Sequence, residues 1–250
     1  MNQQQRQQHI MLQLRALQGE LTVDELASSL AVSPLTIRRD LDCLERMGAV
    51  LRTHGGCVLR TSVASVYHQK VALNFGLKER IGKAAVREVE DDSTIIIHDG
   101  STPFHLACQL GSQRLTVFTN SVSVINELSR FPSIRLCLLG GEYNAALNSI
   151  GGSITEAFLE NLRADAVFLG TDAVDDQGCC LISDANNARL TRSMMRCARR
   201  TILLADHTKV GAVGHYVFAR LSEIDAWYTT AGIKPSVLRA FEKDTTVHVV

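Results

Sequence analysis

Five short polar stretches follow apolar runs in this 250-residue chain, and their residue types suit the holding of an anion. They are Asp99-Gly100-Ser101-Thr102, Asn120-Ser121, Gly140-Gly141-Glu142, Gly170-Thr171-Asp172 and Asp206-His207-Thr208-Lys209. In open α/β sheets, ligands bind beyond the carboxyl ends of the strands. Small and hydroxylic residues there free backbone N–H groups at helix starts to hold a group such as phosphate. Lys209 adds a point charge. One Gly-Ser-Thr would say little, because such residues also mark ordinary strand-to-helix turns. Five polar strand ends in one sheet favour a small polar or phosphorylated ligand. The expected pocket is Asp99, Gly100, Ser101, Thr102, Asn120, Ser121, Gly140, Gly141, Asp206 and Lys209, with the hydroxyls and amides near 100–102 on the anion.

Catalytic and metal chemistry find weaker support. Ser101 lacks the Gly-x-Ser-x-Gly elbow of a nucleophile, so no catalytic residue is assigned. Asp99 or Asp206 has the chemistry of a general base, which keeps turnover of the ligand open. Adjacent Cys179 and Cys180 have no basic cluster nearby in the sequence, as a reactive pair requires, and read as buried thiols. His98 and His207 sit at strand ends without a second ligand at fixed spacing, so hydrogen bonding or effector contact is expected and no metal or other cofactor is. The seven cysteines are odd in number, scattered and never spaced Cys-x-x-Cys, as in a reducing compartment.

The chain carries 26 basic and 26 acidic residues, yet the balance is uneven. Residues 1–60 hold seven Arg and no Lys, and the stretch from Arg46 to Arg60 contains His54 and no acid. No apolar run approaches the roughly 20 residues of a membrane helix, and the N-terminal stretch has no apolar signal segment. A soluble, cytoplasmic protein without membrane contact is expected.

The elements that position these residues follow from periodicity. Ile10, Leu14 and Leu17 define a first helix, which stops at Gly19. Thr22-Val23-Asp24-Glu25 is a capping box opening a short second helix. Ser33-Pro34 restarts the chain as N-cap and first helical residue, and Ile37, Leu41 and Leu44 face a core. Thr36, Arg38, Arg39, Asp40 and Asp42 then lie off that stripe. Helix, short helix, turn and helix form a helix-turn-helix whose last member suits the major groove, roughly 12 Å wide. Two short apolar pieces around Gly55-Gly56 predict a β-hairpin wing, placing Arg52 and His54 on phosphates. A small helical bundle with surface arginines is the competing reading. Residues 60–72 lack a period and read as linker. Beyond them, strands at 94–98, 115–119, 134–139, 166–169 and 201–205 alternate with helices at 104–110, 122–130, 154–162 and 189–199, giving an α/β domain with a mainly parallel sheet.

Two sets of spaced residues carry a family resemblance. Val23-Asp-Glu-Leu-Ala, the run from Leu30 through Ser33-Pro34-Leu35-Thr36-Ile37-Arg38-Arg39-Asp40-Leu41, Leu44-Glu-x-x-Gly48 and Arg52-x-His-Gly-Gly56 resemble the winged helix-turn-helix of DeoR-type bacterial transcriptional regulators. The resemblance places Thr36, Arg38 and Arg39 in the recognition helix; Ser33, Arg52 and His54 complete the expected DNA-binding set. Asp99-x-Ser-Thr102, Thr119-Asn120-Ser121, Gly140-Gly141, Gly151, Asp165-x-x-Phe168-x-Gly170 and Asp206-x-Thr208-Lys209 resemble that family's sensor domain. In the family this domain is ribose-5-phosphate-isomerase-like in fold and binds sugar phosphates. Asp99 and Asn120 would then meet sugar hydroxyls. Asn187 and Arg192 stand where the family often has Glu and Lys, and Thr229-Thr230 stand where it has a late Thr-Asp pair.

Together these readings imply a winged helix-turn-helix at 1–59, a linker at 60–74 and an α/β sensor and oligomerisation domain at 75–250. The function implied is repression of a carbohydrate-metabolism operon. Its partners would be double-stranded operator DNA, a sugar-phosphate effector and further copies of the chain, as dimer or tetramer. A sugar-phosphate isomerase with an accessory DNA-binding module is the alternative, and an α/β domain that only oligomerises is a third.

Overall fold

The computed structural model describes residues 3–17, 20–53, 55–59, 67, 70–71 and 73–250. The chain forms two compact units that divide between Gly76 and Leu77. His54 and most of the expected linker lie outside the described residues.

In the first unit, helices α1 (Gln3–Leu17), α2 (Val23–Leu30) and α3 (Pro34–Arg46) surround a core of Ile10, Leu14, Leu26, Ile37, Leu41 and Leu44. The caps are those expected from the sequence. Thr22 accepts from the N–H of Glu25, and Glu25 accepts from the N–H of Thr22 at 2.8 Å. Ser33 accepts from the N–H of Thr36 at 3.2 Å, with Pro34 in the first turn. Strands β2 (Val50–Arg52) and β3 (Gly56–Leu59) form the wing. A strand that periodicity did not reveal, β1 (Glu20–Thr22), pairs antiparallel with β3. A Cβ on Gly56 would stand 2.1 Å from the Leu21 carbonyl oxygen, so only glycine permits that approach.

Asp40 departs from expectation. It is buried, not off the apolar stripe, and accepts from Arg6 Nε of α1 at 2.6 Å and from a terminal guanidinium nitrogen at 3.2 Å. Helical spacing identifies an apolar face but not the cation that a neighbouring helix brings to its edge.

The second unit is built on strands β4 (Thr94–Ile97), β5 (Leu115–Thr119), β6 (Ile134–Leu138), β9 (Ala164–Leu169), β12 (Ala198–Leu204), β14 (Ala226–Thr229) and β15 (Thr246–Val249). All neighbours pair parallel, in the order β15-β14-β12-β9-β4-β5-β6. Ile96, Val167, Leu203 and Trp227 in consecutive-neighbour strands belong to one apolar cluster, which explains the unbroken β-branched runs. The chain progresses from β4 to β6 on one side, then returns through β9 on the other side of β4. That reversal is a topological switch point.

Around the sheet lie α4 (Phe75–Ala85), α5 (Ser101–Ala107), α6 (Val122–Leu128), α7 (Ser153–Glu160), α8 (Ala185–Cys197) and α9 (Pro235–Phe241). Helices α5 and α8 begin before the expected 104 and 189. Strands β10 (Ala173–Val174), β11 (Cys179–Ile182) and β13 (Tyr216–Arg220) form a small antiparallel sheet, and β7 (Glu142–Asn144) pairs with β8 (Ser149–Gly151) as a hairpin arm. Gly141 enters that arm at φ 149°, where a Cβ would meet Thr155 Oγ1 at 2.3 Å. Burial pushes the Cys180 thiol up to about 12 and raises that of Cys179, as inert buried thiols require.

Candidate functional site

In the first unit the surface of α3 is the candidate contact face. Arg38 and Arg39 are exposed, and neither guanidinium has an ion-pair partner among the described residues. Ser33 and Thr36 are tied to each other, hydroxyl to hydroxyl at 2.9 Å, so both serve the helix start. Leu35, absent from the expected contact set, is 57% exposed beside them. Arg52 reaches from the wing to Asp42 Oδ1 at 3.2 Å and to the Arg38 carbonyl at 3.4 Å. The wing is thereby pinned to α3. Exposed pairs of this kind contribute about 0–1 kcal/mol, so Arg52 can exchange Asp42 for a phosphate at small cost.

In the second unit the switch point gathers side chains from three elements. His98 and Asp99 leave β4 and are buried. Asn120, beyond β5, accepts from the N–H of Asp99 at 2.8 Å and donates Nδ2 to Asp99 Oδ1 at 3.0 Å. Helix α8 adds Asn187 and Thr191. His98 Nε2 lies 2.9 Å from Asp99 Oδ1, 3.0 Å from Asn187 Oδ1 and 3.1 Å from Thr191 Oγ1. The Thr191 hydroxyl spends its proton on the Asn187 carbonyl at 2.7 Å. All three neighbours of Nε2 therefore accept, and Nε2 carries a proton.

Electrostatics follow from this geometry. Burial opposes charge on Asp99, but the His98 ring and hydrogen bonds from His98, Asn120 and Ser149 outweigh it and hold the carboxyl below the usual range. Burial likewise opposes the imidazolium of His98. Asp99, Asn187 and more distant Asp172 reverse that effect, so its affinity for a proton is raised.

Beside this cluster opens a cleft of about 360 Å³, within the usual range for small-ligand sites. The hairpin arm forms one wall, held where Ile150 N–H donates to the Asn120 carbonyl at 2.8 Å and Val122 N–H donates to Asn148 at 3.2 Å. Helix α8 forms the other, starting from Asp184, whose carboxylate caps the N–H of Asn187 at 2.8 Å.

Of the ten expected effector residues, only Asn120 lines this cleft. Asp99 lies behind it, bonded to Asn120. Gly100, at φ 146°, and Gly170 both abut the Pro103 ring, joining the ends of β4 and β9. Ser101 is half-buried and Thr102 buried at the start of α5, where Pro103 supplies no N–H. Ser121 caps α6 through Val124, and the Gly140 carbonyl accepts from Thr155. Asp206 caps a short turn through the Thr208 N–H at 3.0 Å, and Lys209 follows it. They leave β12, two strand spacings from β4, or about 10 Å.

The cleft residues Glu142, Asn144, Ser149, Asp184 and Asn186 were not in the expected set. The polar string from Glu142 to Gly151 and the helix start at Asp184 were their signals. Thr230 holds His207 by its hydroxyl at 2.8 Å from Nδ1. Arg192 donates Nε to the Phe218 carbonyl at 3.2 Å and also bonds Val217, so it braces β13. Among the described residues, no cluster of His, Cys, Asp or Glu fits a metal ion, and no helix is long and apolar enough to cross a membrane.

Comparison with known proteins matches residues 6–63 to the DeoR-like helix-turn-helix domain and residues 74–231 to the DeoR C terminal sensor domain. The glycerol-3-phosphate regulon repressor of Escherichia coli (strain K12) is 34% identical over 91% of each chain. The lactose phosphotransferase system repressor of Lactococcus lactis subsp. lactis is 32% identical, over 99% of this chain and 98% of that one. Among solved structures, ribose 5 phosphate isomerase A from Neisseria gonorrhoeae shows 18% identity and a TM-score of 0.40, covering 54% of this chain and 52% of its own.

Proposed function

The chain belongs to the DeoR family of transcriptional regulators, and we propose that it represses a carbohydrate-metabolism operon under the control of a sugar phosphate bound in the second unit. The observation that carries this reading is the exposed Arg38–Arg39 pair on α3, capped by Ser33, in one chain with a polar cleft at a sheet's switch point. Helix α3 enters the major groove of double-stranded operator DNA, with Ser33, Thr36, Arg38 and Arg39 toward it and Arg52 and His54 toward phosphates. The effector engages the end of the sheet near Asp99, Gly100, Ser101, Thr102, Asn120 and Ser121, with Gly140, Gly141, Asp206 and Lys209 around it.

The protein works in the cytoplasm as a dimer or tetramer, since one winged helix makes too few contacts for ordinary specific affinity. Its boundaries are residues 1–59 for the DNA-binding domain, 60–74 for the linker and 75–250 for the sensor.

Asp99, one of the two candidate bases, speaks against the isomerase alternative. A general base for C–H abstraction needs proton affinity near the working pH, whereas Asp99 is held low and bonded by His98 and Asn120. A signal receptor needs only unequal affinity in two conformations. Incubating the full chain with its own promoter fragment and a panel of pentose and hexose phosphates, while following DNA release and product formation, separates the two. Ligand-sensitive DNA binding without product supports the regulator. Product at enzyme-like rates, abolished by Asp99→Asn, overturns it.

A further inference from the structure

The cleft has a charge character that bears on which sugar phosphates it admits. Its charged lining groups are Glu142 and Asp184, both carboxylates, and among the described residues no Lys or Arg lines it. The arginines of α8 on this side are committed elsewhere. Arg189 Nε pairs with Glu156 at 2.8 and 2.9 Å, and Arg192 is held by the carbonyls of β13. The remaining polar lining is dominated by amides, namely Asn120, Asn144, Asn186 and Asn187. Leu147, Ile150 and Leu190 supply apolar patches between them.

Asn120 and Asn187 spend their amides on Asp99, Ile150 and His98, and Asn144 Oδ1 accepts from the N–H groups of Ala146 and Leu147. The Asn144 Nδ2 donor and the exposed Asn186 amide can meet sugar hydroxyls, while carboxylates only accept. Apolar patches suit the C–H faces of a carbon chain. An anion entering here meets two like charges and no cation, and like charge juxtaposed in a site disfavours binding. We propose that the cleft takes the uncharged, hydroxyl-rich end of the effector, leaving its phosphate outside this lining, and that the protein selects sugar phosphates bearing a single anionic group over those bearing two. The proposal rests on the reading of the second unit as a sugar-phosphate sensor.

The test uses the full chain and calorimetric titration with matched probes: glucose 6-phosphate against 6-phosphogluconate, and fructose 6-phosphate against fructose 1,6-bisphosphate. Sorbitol 6-phosphate and ribose 5-phosphate extend the singly phosphorylated set. The expected result is at least tenfold weaker binding whenever a second anion is added. Glu142→Gln combined with Asp184→Asn should narrow that gap to less than threefold, with the thermal transition checking that the variant folds. Because wild-type selectivity is itself a readout, an unstable variant does not remove the test. If singly phosphorylated sugars bind and their doubly anionic counterparts bind as tightly or more so, the selectivity proposal is overturned while the sensor reading stands. If no phosphorylated sugar binds, both fall.

Discussion

Asn187, in the first turn of α8, accepts a hydrogen bond from His98 Nε2 at 3.0 Å, so a helix that begins some ninety residues later fixes the ring at the end of β4. Its Nδ2 also approaches Asp99 Oδ2 at 3.5 Å. A single amide thus joins the hydrogen-bond network of the switch point to the wall of the cleft.

Removing that amide should destabilise the second unit without unfolding the first. Asn187→Ala removes one of the three acceptors around His98 Nε2 and the amide facing Asp99 Oδ2, an effect of about 0.5–1.5 kcal/mol, the net worth of a typical hydrogen bond. Trp227 is the sole tryptophan of the chain and is fully buried in the second unit, so its fluorescence in urea reports this unit. A transition unchanged from wild type would contradict the assigned role.

The same pair gives a pH dependence of known sign. Proton affinity of His98 is raised on folding, so its contribution is complete below the ordinary histidine value and is lost as pH rises through the raised one. Proton affinity of Asp99 is lowered, so its contribution is complete above the ordinary carboxylate value and is lost as pH falls through the lowered one. The contribution of this pair to stability should therefore be greatest between about pH 4 and 6.5 and decline on the alkaline side. Buried His105, whose pKa burial lowers to about 3, instead weakens the unit as pH falls below the ordinary histidine value. Trp227-monitored denaturation across this range checks the sign. In His98→Gln the alkaline decline should flatten; persistence of the full decline would assign it to another group.

Arg6 and Asp40 make the corresponding test for the first unit. Breaking a buried pair by removing one partner costs about 3–5 kcal/mol, whereas replacing both with apolar residues is often neutral. Asp40→Ala should lower the melting of the first unit, seen as a far-ultraviolet circular dichroism transition separate from the Trp227 signal. Arg6→Met combined with Asp40→Leu should recover most of the loss. Equal damage in single and double variants would show that packing, not the uncompensated charge, is at stake.

The sequence was most informative where physics is local. Thr22 with Glu25 and Ser33 with Pro34 announce helix starts because caps act within three residues, and the runs at β4, β5, β6, β9 and β12 are apolar and β-branched enough to stand out. Strands β14 and β15 escaped notice: Ala226-Trp-Tyr-Thr and Thr246-Val-His-Val are short and mix aromatic or polar residues into the pattern. Asn120 emerged at a strand end and does line the cleft. Glu142 stood at a strand end but outside the expected pocket, and Asp184 and Asn187 were not placed there, because the hairpin arm and α8 reach the switch point only through tertiary packing. Asp40 was misplaced for the same reason, its partner lying 34 residues earlier on another helix.

The central claim is that the ligand in the second unit and DNA on the first are energetically coupled. Linkage requires that the factor by which a sugar phosphate changes DNA affinity equals the factor by which DNA changes sugar-phosphate affinity. The decisive measurement is the Kd of the most tightly bound sugar phosphate, determined by calorimetry for the full chain alone and saturated with its own promoter fragment. The account predicts a change of at least tenfold, matching the ligand-induced change in DNA affinity measured by fluorescence anisotropy. An identical Kd with and without the DNA would contradict it.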